Sequence, residues 1–336
     1  MEAAGLILSD SLHYLDHLGP FCALKGYPLI ICEPMLAELA STYYPDLQMI
    51  HKKWPNIELP TTIISCHPRP ILQSSFPLAT LNTCLLPHGN SDKGWKSAVF
   101  EHLCHEQTVF VYGTKMFDAI QEKIKDLSHL HIEQVGNFRQ SYFEKHQTFY
   151  RELTKKNIPR GQTTFLYAPT WQDLEGNCSF WEAFPILAET LPDNYTLIVK
   201  PHPNTLTAFA PQIEQMIGRW KEKTNIFWLT DFPPIYALLD ICDGYIGDMS
   251  SIGYDFLNQS CPMYFLNHQK RSRSSDQGLY LYRCGVEIFP KDYKNLFLLD
   301  QQTRHLDKSR FQQIRKEVYE YTFGKSDLSG LRPGPR

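Results

Sequence analysis

Ile241-Cys242-Asp243-Gly244-Tyr245-Ile246-Gly247-Asp248-Met249-Ser250-Ser251-Ile252-Gly253-Tyr254-Asp255-Phe256-Leu257 reads as a short buried strand, a sharp turn and the start of a helix. Gly247 lets the chain turn without steric cost. Asp248, Ser250 and Ser251 are residue types that cap helix N-termini. The first N–H groups of a helix have no intrahelical partner, and the dipole there favours negative charge. The segment therefore has two readings: an ordinary N-cap, or a phosphate cradle lined by two hydroxyls. Its surroundings decide between them.

Working outward, the second half of the chain alternates strand-like and helix-like stretches. Strands are expected at Thr163–Tyr167, Thr196–Lys200, Ile226–Leu229, Gly244–Ile246 and Pro262–Leu266. Helices are expected at Phe180–Thr190, Ala208–Glu222, Pro234–Leu239, Ser251–Leu257 and Lys308–Tyr321. The first half repeats the pattern. Gly5–Ser9, Pro28–Cys32, Thr61–Cys66, Thr83–Leu86 and Thr108–Tyr112 read as strands, and His13–Lys25, Met35–Tyr43 and Lys115–Lys125 as helices. Phe138–Asn157 reads as one long polar helix, and Ile158-Pro159-Arg160-Gly161 breaks the chain after it. The order implies an α/β protein with parallel sheets covered on both faces. Two Rossmann-like domains, 1–157 and 158–325, are expected to face each other across a cleft, followed by a flexible tail over 326–336.

The chain's 336 residues and 43% hydrophobic content suffice for two full cores. A net charge of −3 argues against a general nucleic-acid binder. No apolar run reaches transmembrane length, and the Met1-Glu2-Ala3-Ala4 start lacks the basic region of a signal peptide. Nine scattered cysteines, without a Cys-x-x-Cys pair, indicate reduced thiols and a cytoplasmic setting. The run His102-Leu103-Cys104-His105-Glu106 fits no standard zinc spacing, so no metal is expected. No Gly-x-Gly-x-x-Gly follows the first strand, which disfavours a nicotinamide enzyme.

Five polar loops fall at the carboxyl ends of expected parallel strands, where ligands of such folds bind. They are Leu86–Gly94, Val135–Arg139, Leu166–Asp173, Val199–Pro203 and the Gly247–Ser251 turn. Each has a plain structural reading: a turn at His88-Gly89, a stiff strand exit at Lys200 and His202, a surface charge at Arg139. Their recurrence at one edge favours a site.

Together these loops resemble the CDP-glycerol glycerophosphotransferase family, the teichoic-acid primases and polymerases. The resemblance covers roughly residues 80–290. His88, Gly89 and Lys93 match the family's His-Gly pair with a downstream lysine. Gly136 and Arg139 match Gly-x-Pro-Arg, with Phe138 in place of the proline. Tyr167-Ala168-Pro169-Thr170-Trp171 and Asp173 match its Tyr-Ala-Pro-Thr-Trp-Arg-Asp run, with Gln172 replacing the arginine. His202-Pro203 matches a His-Pro after a strand. Asp248, Ser250, Ser251 and Asp255 match Asp-x-Ser-Ser followed by an apolar helix with Asp. One departure is Asn267–Arg273, which is basic where the family is acidic.

The resemblance implies the GT-B fold and transfer of a polyol phosphate from CDP-glycerol, or a related nucleotide donor, to an acceptor hydroxyl, releasing CMP. It nominates His88 as the base, a task suited to a side chain titrating near neutrality. His202 would assist at the pyrophosphate or the leaving group. Lys93, Arg139, Thr170, Lys200, Asp248, Ser250, Ser251 and Asp255 would form the donor and phosphate site. Fixed cations can stand in for a metal, so no cofactor is expected. A lipid-linked acceptor would place the chain at the inner face of the cell membrane. Two candidate patches for peripheral membrane contact are Tyr142, Phe143, Lys145, Phe149, Tyr150 and Arg151, and Lys270, Arg271 and Arg273; the favoured plain reading is a solvated helix and a solvated loop. The competing readings are a GT-B sugar-nucleotide glycosyltransferase or epimerase-like enzyme, and a non-catalytic nucleotide-binding scaffold.

Overall fold

The computed structural model describes residues 2–53, 58–76, 81–93, 103–173 and 175–324. The expected tail over 326–336 and the motif residue Gly94 lie outside them. The chain forms two compact units. The first comprises residues 1–90, 96–147 and 320–336, and the second 91–95 and 148–319.

The first unit holds seven parallel strands: β1 (Ala3–Ile7), β2 (Leu29–Ile31), β3 (Met49–His51), β4 (Thr62–Ser65), β5 (Asn82–Leu85), β6 (Thr108–Val111) and β7 (His131–Gln134). Their order is β3-β2-β1-β4-β5-β6-β7. The chain builds outward from β1 in one direction, then returns to lay β4 on its other side. The topological switch therefore lies between β1 and β4, where the crevice at the carboxyl ends opens. Leu6, Ile30 and Ile63 anchor a core on one face.

The second unit holds β8 (Thr163–Tyr167), β9 (Tyr195–Val199), β10 (Ile226–Trp228), β11 (Gly244–Gly247), β12 (Met263–Leu266) and β13 (Val286–Ile288). All are parallel, in the order β10-β9-β8-β11-β12-β13. Here the switch lies between β8 and β11. Every residue of β9, β11 and β12 is buried, as expected for strands covered on both faces. Phe165, Phe184, Tyr195, Leu197 and Phe297 belong to the core of this unit.

Several elements differ from the sequence expectation. The stretch expected as one helix over 138–157 is two, Phe138–Lys145 and Gln147–Asn157. They break at His146, whose ring packs on Tyr142 and whose Nε2 lies 3.6 Å from Asp46 Oδ2. The helix expected over 208–222 runs Ala210–Trp220, and a separate short helix, Pro203–Ala208, precedes it. The helix after Gly247 is one turn, Ile252–Asp255, followed by a 3-10 turn over Phe256–Asn258. Gly247 also acts differently from the expectation. It needs no left-handed conformation, since its φ is not among the positive ones. A Cβ there would collide with the Tyr245 ring, so glycine is required by close approach.

Candidate functional site

In the second unit, the loops leaving β8 and β11 flank the switch point and are tied together by Asp248. This carboxylate is fully buried. It accepts hydrogen bonds from Thr170 N at 2.7 Å, Ser179 N at 2.9 Å and Ser179 Oγ at 2.8 Å. Burial pushes the carboxyl above its ordinary value, and those donors together with Lys93 pull it back. Asp248 thus does not cap its own helix. The N-cap is Ser251, which makes no side-chain capping bond. Ser250 is buried and interacts with Tyr245, while Ser251 is half-buried. Asp255 is buried and accepts from Tyr236 Oη at 3.1 Å.

Lys93 comes to the same edge. Its ammonium donates to Thr170 Oγ1 and lies 5.6 Å from the centre of the Trp171 ring. Burial lowers its pKa from the ordinary lysine value, opposed by Asp173 and Asp248. The lysine is held there by its neighbour. Asp92 accepts from Tyr254 Oη at 2.6 Å and from Leu281 N at 3.2 Å. Trp171 is 36% exposed, and its ring lies 6.4 Å from that of His202. His202 Nδ1 accepts from Asn204 N at 3.1 Å, which caps the helix Pro203–Ala208 and leaves Nε2 as the protonated nitrogen of a neutral ring. Lys200, buried, leaves β9 two residues earlier.

In the basic run over 267–273, Arg271 is wired inward, whereas Lys270 and Arg273 are exposed. Arg271 pairs with Asp276 at 2.6 Å and Glu175 at 3.7 Å, and it donates to Asn177 Oδ1 at 2.6 Å. Asp173 in turn accepts from Glu175 N and Asn177 N, closing the loop after β8. In the aromatic patch over 142–151, Phe149 is exposed, but most of the other rings are not. Tyr142, Phe143 and Tyr150 are core residues, Lys145 pairs with Asp46, and Arg151 pairs with Asp240. Among the described residues, no helix is long and apolar enough to cross a membrane.

His88 and Arg139 lie in the first unit. His88 follows β5, and Gly89 beside it has φ 118°, a conformation that favours glycine. The His88 ring packs 5.0 Å from both His13 and Tyr14, at the start of the helix Leu12–Lys25. Tyr14 also packs edge-on to His67, which follows β4 at the switch point. His67 Nε2 accepts from Leu8 N at 3.4 Å, in the loop leaving β1. Burial lowers the His67 pKa to about 4. Burial also lowers that of His17, helped by the Arg139 charge and by His88 and His13. Arg139 itself is 4% exposed and donates to Asp16 at 2.9 Å, while Tyr44 donates to the other Asp16 oxygen at 3.0 Å. Its guanidinium is thus engaged within the protein.

The sequence reading missed His13, Tyr14, His17, His67 and Asp16. The signal was present: His13-x-x-x-His17 stands one helical turn apart on the first helix after β1, beside the switch point. Among the described residues, no group of three or more His, Cys, Asp or Glu is arranged to hold a metal.

The profile of the CDP-Glycerol:Poly(glycerophosphate) glycerophosphotransferase family matches residues 139–326, more than half of the chain. The chain belongs to this family. A teichoic acid glycerol-phosphate transferase of Staphylococcus aureus is 27% identical over 179 residues, covering 50% of this chain. The chain spans about 40% of that relative's length. Among solved structures, the wall teichoic acid polymerase TagF superposes with a TM-score of 0.66 at 14% identity, covering 97% of this chain and 85% of that one. HepE from Anabaena, solved with UDP-glucose, gives 0.52 at 12% identity, with 95% of each chain covered. These likenesses place the glycerophosphotransferase-family chain in the GT-B fold class.

Proposed function

We propose that this chain is a transferase that moves glycerol phosphate from CDP-glycerol to an acceptor hydroxyl and releases CMP. The observation that carries the reading is the family match over 139–326, which contains Arg139, Thr170, Lys200, His202 and the Asp248–Asp255 turn. The TagF polymerase, a fold neighbour, was also solved after soaking with CDPG.

In this reading the 1–157 domain carries the acceptor and the 158–325 domain the donor. His88 takes the proton of the acceptor hydroxyl as its oxygen attacks the phosphorus bearing glycerol. The bond from that phosphorus to the bridging oxygen breaks, and the pair leaves with CMP. Lys93 and Lys200 supply positive charge to the diphosphate, and Ser250, Ser251 and Thr170 supply hydroxyls. His202 presents Nε2–H to the leaving phosphate. Asp248 and Asp255, carboxyls already bonded within the protein, organise the loops around the phosphates. Arg139, engaged by Asp16, steadies the helix that carries His13 and Tyr14. The acceptor is lipid-linked, and that linkage brings the chain to the inner face of the membrane from the cytoplasm.

The test is calorimetric titration of the full chain with CDP-glycerol, with UDP-glucose and NADH as controls, followed by assay of CMP release. Selective CDP-glycerol binding with CMP release is expected. Binding of UDP-glucose but not CDP-glycerol would move the chain to the sugar-nucleotide class. Replacing His88 by alanine should cost at least about a hundredfold in rate.

A further inference from the structure

The last ladder bond of the β5 exit is Leu86 N–H to the Ser65 carbonyl, at 2.9 Å. From there the chain leaves the sheet toward His88. One residue on, a side chain takes over the tether. Tyr112, just past β6, donates from its hydroxyl to the Pro87 carbonyl at 2.9 Å. That carbonyl belongs to the Pro87–His88 peptide, so the bond fixes the plane from which the His88 side chain departs.

Tyr112 has little freedom of its own. It is fully buried, its ring stacks on Phe138 at 5.5 Å and 19°, and Phe323 meets it edge-on at 6.0 Å. Its hydroxyl has one proton, committed to Pro87, so its oxygen is the acceptor for His17 Nδ1–H. His17 is buried and neutral, which sets it in the Nδ1–H tautomer. The result is a chain of two hydrogen bonds running from the first helix, through Tyr112, to the backbone of the His88 loop. The same helix sends His13 and Tyr14 to pack against the His88 ring.

We infer that Tyr112 is a positioning residue for His88: its hydroxyl, oriented by His17, holds the Pro87–His88 peptide and so aims the imidazole at the acceptor. This inference rests on the reading that His88 takes the acceptor proton. Such aim matters, because a displacement of about 1 Å can cost about a hundredfold in rate.

The test uses the full chain carrying Tyr112→Phe, which keeps the ring packing and removes the hydroxyl. Two readouts are taken. In steady-state CMP release, kcat is expected to fall by about tenfold or more, with KM for CDP-glycerol within about twofold of the parent. In nitrogen-15 spectra of histidine-labelled protein without substrate, the His88 imidazole signals are expected to shift or double, while those of exposed His131 stay. An unchanged kcat with unmoved His88 signals overturns the inference. A kcat loss with unmoved signals also overturns it, since His88 would then be held by other means. If the parent chain releases no CMP, the functional reading fails, and the spectra still decide whether Tyr112 holds His88. Should Tyr112→Phe fail to fold, His17→Leu removes the orienting donor instead; unmoved His88 signals in that variant overturn the inference.

Discussion

Replacing Asp248 by alanine removes the acceptor that joins the loop after β8 to the start of the helix Phe180–Thr190. Thr170 and Ser179 are 1% and 0% exposed, so water cannot replace the carboxylate without the loop opening. Two backbone N–H groups lose their acceptor. The Ser179 hydroxyl keeps its 3.2 Å contact with Tyr167 Oη. Each buried donor left unsatisfied costs about 1–3 kcal/mol, so two cost about 2–6 kcal/mol. Alanine also relieves the desolvation of a buried charge, which offsets part of this. A net cost of about 2–4 kcal/mol follows. With two compact units, one global unfolding free energy is ill-defined, so the local readout is hydrogen exchange at the Thr170 and Ser179 amides. At about 1.4 kcal/mol per tenfold, exchange there should accelerate by about thirty- to seven-hundredfold. Asp248→Asn serves as the calibrating variant. Its amide oxygen can still face Thr170 N–H, and its NH2 can donate to Ser179 Oγ. Only Ser179 N–H is then stranded, and the effect should be about half as large in free energy. Exchange within threefold of the parent in Asp248→Ala would refute the reasoning. So would asparagine and alanine variants that behave alike.

Three further predictions concern the same two edges. His67 is held neutral with a pKa of about 4, against 6.5 when unfolded, so the unfolded chain binds the extra proton. Its contribution is present above about pH 6.5 and is lost as pH falls toward 4, and the first unit should be about 2 kcal/mol less stable at pH 5 than at pH 7 on this account. His67→Gln should shrink that pH dependence by a similar amount in urea titrations, and an unchanged dependence would assign it elsewhere. Asp16→Ala strands the buried Arg139 charge and should cost about 3–5 kcal/mol, whereas Asp16→Leu combined with Arg139→Met should recover most of it; equal melting temperatures for the single variant and the parent would contradict this. Ser250→Ala with Ser251→Ala should weaken CDP-glycerol binding by about tenfold or more in calorimetry, roughly one charged hydrogen bond. Unchanged binding would leave that turn as a plain helix start.

What could be read from the sequence follows from what is local. Apolar runs such as Thr163–Tyr167 and Thr196–Lys200 are continuous because both faces of the sheet are covered, so strand and order emerge together. The strands without a clear sequence signal, β3, β7 and β13, are all sheet edges, short and with mixed burial patterns. The helix Arg69–Ser75 is short and opens on Pro68-Arg69-Pro70, a loop-like run, although proline is tolerated in a first helical turn. The polar loops were identifiable for a similar reason: parallel strands deliver all their carboxyl ends to one edge.

The wiring within those loops is another matter. Asp248 meets Thr170 across 78 positions, Arg139 meets Asp16 across 123, and Tyr254 meets Asp92 across 162. A carboxylate beside two serines has the same local appearance whether it caps its own helix or fastens a distant loop. The difference is set by burial. Once Asp248 is fully enclosed, its charge must be met by the donors that the fold places nearby, and those are the amides of Thr170 and Ser179. The same logic takes Arg139 to Asp16. Motif residues of one family can therefore divide into those that face a ligand and those that hold the former in place. The two buried carboxylates of the Asp248–Asp255 turn are bonded within the protein, so on the proposed function Lys93, Thr170, Lys200, His202 and the two serines are the groups whose replacement should act first on donor binding.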